Sequence, residues 1–166
     1  MALVVAFVSM LAFRALVFTI YNVGSSNTGY LLQAGDHVLV NRWSYGLRTG
    51  GGSIFGYGRV GRQAVSRGDL IAIDDSLGRV FITRCTALPG DTVDMSKALP
   101  GKAGDGMTVV VPGLATCADT DYYLTDSYGF VGEERIIGRV CMVLFSHDPA
   151  FPFWHGYVAS RFMLLK

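Results

Sequence analysis

Two side chains stand where a nucleophile could act: Ser26 in VGSSNTGY, and Cys85 beside Arg84 in FITRCTALPGD. A hydroxyl or thiol of this kind attacks a carbonyl only with a base in reach to take its proton. His37 is the sole histidine of the first half of the chain, but it follows Gly35-Asp36 at the start of an apolar run, where a surface histidine is the ordinary reading. Ser26 in a Gly-Ser turn is first of all a turn former. Cys85 sits next to a cation that can lower a thiol pKa, and on a strand it would share a face with Thr83 rather than with Arg84. Lys97, Lys102 and Lys166 are the only lysines, two in a glycine-rich stretch and one at the chain terminus. Cys85, Cys117 and Cys141 form no CxxC or Cys/His cluster, so neither a metal nor another cofactor is expected. A Cys117–Cys141 disulfide would require an oxidising compartment and a Cα separation that spacing alone does not supply.

The elements that must position these groups read as strands. HVLVNRW, DLIAIDD, RVFITRC, MTVVV and IIGRVCMVLF are short runs rich in Val, Ile and aromatics, bounded by Gly, Asp and Pro. Gly35-Asp36, Gly68-Asp69 and Pro89-Gly90-Asp91 supply turn chemistry at their edges. RTGGGSIFGYGRVG (48–61) lacks phosphate-loop spacing and reads as a mobile surface loop. Residues 95–121 read as an inserted hairpin or small subdomain within a β domain covering 22–166.

Ahead of that domain, MALVVAFVSMLAFRALVFTIY (1–21) carries Arg14 as its only charge. About 20 apolar residues span a bilayer as a helix, so the expectation is a single membrane anchor over 1–21, with Arg14 snorkelling to the interface. Hydrophobic residues at 51% against 16% charged agree with a chain partly out of water. A net charge of +1 gives no basic patch for nucleic acid. The tail aromatics Phe145, Phe151, Phe153, Trp154, Tyr157 and Phe162 suit either core packing or a membrane-interface rim.

Four segments in order resemble the bacterial type I signal peptidases, membrane-anchored Ser/Lys proteases that remove leader peptides. SSNTGYLLQAGDHVLVNRWSYGLR is similar to the family's S-x-S-M-x-P-T-L-x-x-G-D and the strand after it. RGDLIAI (67–73) is similar to R-G-D-I-V-V-F, opening a strand rather than presenting an integrin-type triplet. FITRCTALPGD resembles Y-I-K-R-x-x-G-L-P-G-D, and YYLTDSYGFVGEERIIGRV resembles a shortened G-D-N-R-x-N-S-x-D-S-R-x-W-G-x-V-P. The resemblance implies a mostly β signal peptidase/LexA-like fold with one N-terminal transmembrane helix, the β domain facing outward from the cytoplasmic membrane. Kinship with the self-cleaving LexA-type repressors alone is disfavoured by the anchor and by the lack of a DNA-binding module.

The departures from that pattern bear on activity. The family's nucleophile position, eight residues before Gly35, is Asn27. Its general-base lysine position, six before Pro89, is Thr83. An amide nitrogen is not nucleophilic and a threonine hydroxyl accepts no proton near neutral pH. Ser25 falls on the serine whose hydroxyl helps form the oxyanion hole, and Arg84 keeps the basic neighbour of the lost lysine. Tyr30 and Leu31 replace Pro and Thr. The shortened fourth segment puts the family's buried salt bridge and base-orienting hydroxyl in doubt. The resemblance therefore implies a signal peptidase-like protein without the dyad, whose partners would be leader peptides of exported chains, an active signal peptidase, and membrane lipid. An active peptidase with an unconventional site, using Ser26 or Cys85, is the alternative.

Overall fold

The computed structural model describes residues 1–24, 32–49, 56–75, 78–94, 108–116, 118–147, 156–158 and 161–165. The chain is mostly β with one helix, as its Val/Ile-rich runs and Gly-Asp turns require. Helix α1 (Ala2–Val17) passes without a linker into β1 (Phe18–Asn22). After β2 (Asp36–Asn41) come β3 (Leu47–Thr49), β4 (Gly58–Val60), β5 (Leu70–Asp74), β6 (Val80–Ala87), β7 (Thr92–Asp94) and β8 (Thr108–Val110). The chain closes with β9 (Tyr122–Thr125), β10 (Gly129–Gly132), the long β11 (Ile136–His147), β12 (Tyr157–Val158) and β13 (Met163–Leu164). Among the described residues, nine strands form one sheet in the order β1-β2-β11-β5-β6-β9-β10, with β12 and β13 added along β11.

The anchor expected over 1–21 divides in two. Its first part is α1, but Phe18–Asn22 pair antiparallel with β2, Phe18 against Asn41 and Asn22 against His37. The 16 residues of α1 extend only about 24 Å, short of the roughly 30 Å hydrocarbon core. Among the described residues no helix is long and apolar enough to cross a membrane. Leu3, Val4, Val5, Phe7, Val8, Met10 and Leu11 are all exposed.

The glycine-rich stretch also departs from expectation. Its ends pair as a hairpin, Leu47 against Val60 and Thr49 against Gly58, and only 50–55 lie outside the described residues. Gly46 makes this possible: at φ +89 a side chain there would strike the backbone of Val60 and Gly61, so the hairpin base closes only on glycine. Between Met95 and Asp121, β8 returns along β7, Val93 against Val109.

Two packed clusters lie on opposite sides of the central strands, as the period-2 alternation dictates. Val38, Val40, Leu70, Ala72, Ile82 and Val140 fill one, with Leu32 and the partly buried Tyr21 and Val80 against it. Ile71, Ile73, Cys85, Tyr123 and Ile136 fill the other. The sheet therefore curves around the first cluster, bringing β1 and the start of β6 to the same core. Register shifts in β11 between Val140 and Met142 and between Val143 and Phe145 give that long strand its bend. The described tail aromatics Phe145, Tyr157 and Phe162 are exposed rather than core.

Candidate functional site

Thr83, the position of the implied base, lies in the middle of β6 opposite Ile71 and is fully buried. Its hydroxyl donates to Asp126 Oδ1 at 2.7 Å. The same oxygen takes the Ser127 hydroxyl at 2.9 Å and the Arg84 amide at 3.3 Å. This convergence follows from the β6–β9 ladder, in which Cys85 pairs with Thr125 and the Asp126 amide donates to the Arg84 carbonyl. The carboxylate thus sits at the end of β9 where an amine on residue 83 would have to be held. A hydroxyl bound to a carboxylate is a donor in a satisfied cluster, not a proton acceptor. The Ser127 hydroxyl of the shortened segment is directed to Asp126. Arg84 forms no ion pair among the described residues; what Asp126 holds is its backbone amide.

The nucleophile side is bounded rather than seen, because Ser25, Ser26 and Asn27 lie outside the described residues. The base of their segment is stapled: Gly35 donates to the Val23 carbonyl at 2.9 Å, and Val23 to that of Asp36 at 2.8 Å. Gly35 takes φ 93 to close this turn. Asp36 is completely buried, accepting from the Gln33 amide at 2.8 Å and from Arg161 at 2.5 Å. Burial alone pushes its carboxyl up, but the Arg161 guanidinium, the Gln33 amide and Ser146 together hold it below the ordinary carboxylate value.

The other candidates are built into the frame. Cys85 is fully buried, its thiol lies 3.6 Å from the Ala87 carbonyl, and burial, with the nearby Asp69 charge, pushes its pKa up to about 12. Such a thiol is inert. His37 is partly exposed, stacked on Phe145 at 4.3 Å between ring centroids, with Nδ1 3.2 Å from the Gly35 carbonyl. Cys141 is a free thiol and Cys117 lies outside the described residues, as do Lys97, Lys102 and Lys166.

The Arg-Gly-Asp and Leu-Pro-Gly-Asp segments interlock. The Gly68 amide donates to the Cys85 carbonyl at 2.7 Å and the Cys85 amide to the Asp69 carbonyl at 2.9 Å, and buried Asp69 accepts the Tyr45 hydroxyl at 2.8 Å. Burial and this carboxylate both push the Tyr45 pKa up. Arg67 reaches Asp91 at 2.7 Å. The Leu88 amide, then Arg67, holds the Asp91 carboxyl below its usual range.

Sequence reasoning missed a second buried network. Arg59, whose side chain is 1% exposed, donates to the carbonyls of Gly46, Glu133 and Ile136. Its Nε stands 3.5 Å from the buried Glu133 carboxylate, which Arg62 also engages at 2.6 Å. The only signal was two arginines, Arg59 and Arg62, closing a glycine loop. Among the described residues no group of His, Cys, Asp or Glu is placed to hold a metal ion.

A mostly β sheet carrying these interlocked segments is consistent with a signal peptidase β fold. A family model described as signal peptidase, peptidase S26, matches residues 1–100, and the chain belongs to that family. No curated protein matches it. The matched residues include the first three similar segments, while the shortened fourth lies beyond them.

Proposed function

We propose that this signal peptidase I-like protein holds leader peptides of exported chains without cutting them. The observation that carries the proposal is Thr83: at the base position stands a buried hydroxyl committed to Asp126. With Asn27 at the nucleophile position, neither half of a Ser/Lys dyad is in place. Peptide capture needs no such pair. An extended segment adds to an open strand edge through main-chain hydrogen bonds, and among the described residues β1 pairs only with β2, leaving its outer edge open. Phe18 and Ile20 are exposed along that strand. The uncovered apolar side chains of α1 support attachment to the outer face of the cytoplasmic membrane, where leader peptides emerge.

The test is incubation of the purified protein with a leader-bearing preprotein, beside an active signal peptidase. The expected result is intact preprotein bound to this protein and cleaved preprotein in the control. Cleavage by the wild-type chain that Ser26→Ala abolishes would overturn the reading and identify an active peptidase with an unconventional site. Absence of binding up to millimolar peptide would remove capture, and co-purification of an active peptidase would then identify regulation as the role.

A further inference from the structure

A cavity of about 280 Å3 opens where β1 and the start of β6 approach each other, lined by Tyr21, Arg42, Arg48, Asp74, Val80 and the glycine at 78. Arg42 directly follows β2, and its amide donates to the Val17 carbonyl at 2.9 Å, which puts it where α1 becomes β1. Arg48 is committed: it donates to Asp74 at 2.7 Å and to the Glu134 carbonyl at 2.8 Å. Arg42, by contrast, faces no carboxylate of its own among the described residues. The cavity therefore holds two guanidiniums against one carboxylate, an excess of positive charge in a partly enclosed space. Guanidinium recognises carboxylate by charge-assisted, often bidentate hydrogen bonds.

The position matters as much as the charge. Thr19 and Tyr21 face inward on β1 while Phe18, Ile20 and Asn22 face out. A peptide laid along the open edge of β1 alternates in the same way, so its inward-facing side chains share a face with Tyr21, which lines this cavity. We propose that the cavity is an anion subsite, in which Arg42 binds the carboxylate of an acidic side chain on the captured peptide. This rests on the peptide-capture reading and adds to it a preference among leader peptides.

The experiment uses the full chain in detergent and fluorescein-labelled leader peptides in which successive positions carry Glu or, in a twin, Gln. At one position the Glu peptide should bind about tenfold tighter than its twin at low salt, with the gap closing as salt screens it. Arg42→Gln should erase the difference between twins, and Arg42→Lys should keep part of it. Twins that bind equally at every position overturn the subsite and leave capture standing. If no peptide binds, capture fails, and a second measurement decides the subsite: N-acetylglutamate amide titrated onto protein labelled with 15N-arginine. The Arg42 side-chain Nε–H resonance, assigned by its loss in Arg42→Gln, should move with that compound and stay still with N-acetylglutamine amide. No movement overturns the proposal. So does an Arg42→Gln defect confined to sedimentation with vesicles of equal parts phosphatidylcholine and phosphatidylglycerol, which would assign the cavity to a lipid phosphate.

Discussion

At the scale of single residues, Thr83 and Asp126 change what repair of the site demands. A neutral amine is the working form of a lysine base, and a carboxylate within a few ångströms favours the protonated form and raises the amine pKa. Thr83→Lys would place its ammonium beside Asp126, so Asn27→Ser with Thr83→Lys is expected to leave preprotein uncut, as each single change does. Adding Asp126→Asn should permit slow cleavage, about a hundredfold or more below an intact dyad, because the surrounding shell is unrepaired. Quantitative cleavage assays on all four variants, with circular dichroism to check folding, test this; rapid cleavage by the double variant would refute it. Cys85 offers a simpler check. With its pKa pushed up to about 12 in a sealed core, native protein treated with iodoacetamide at pH 8 should show Cys85 unmodified by mass spectrometry. The identity of both dyad positions was legible by counting back from Gly35 and Pro89. The partner of Thr83 was not, because Asp126 is 43 residues away and meets it only through strand pairing.

At the scale of elements, the hairpin β3–β4 is held to the turn before β11 by Arg59. Removing one member of a buried ionic network strands the rest. Arg59→Met should therefore cost about 3–5 kcal/mol in urea unfolding, while Arg62→Met, whose side chain is 47% exposed, should cost about 1 kcal/mol or less. Equal losses would show that Arg59 is not the anchor. The turn before β2 makes a pH prediction. The folded-state pKa of Asp36 is depressed, so its stabilisation is present above the unfolded value and is lost as pH falls through the folded one. Thermal midpoints of the wild type should drop as pH is taken below about 4, and Asp36→Asn, already lower at pH 7, should show a shallower drop. The strands themselves were legible from runs such as DLIAIDD and HVLVNRW. The hairpin was not, because six glycines in RTGGGSIFGYGRVG mask two three-residue strands, one of which carries Arg59 to the distant carbonyls of Glu133 and Ile136.

At the scale of the whole molecule, the boundary between helix and sheet decides how the chain can be cut. The apolar run continues to Tyr21, so composition alone places the division there; the β1–β2 ladder moves it to Val17. A chain lacking 1–17 should stay folded and soluble without detergent. One lacking 1–21 loses most of β1, bares the edge of β2, and should unfold at a lower temperature and aggregate, since open strand edges recruit other chains. Light scattering and thermal melts of the two proteins distinguish the boundaries; identical behaviour would mean that β1 contributes nothing to the sheet.

The same join has no linker residue. Val17 ends the helix, Phe18 begins the strand, and the Arg42 amide ties the junction to the next strand. Tilting or rotating the helix therefore acts directly on the sheet edge, as a handle on a blade. The direction from which a second chain can approach that edge is set by whatever grips the handle.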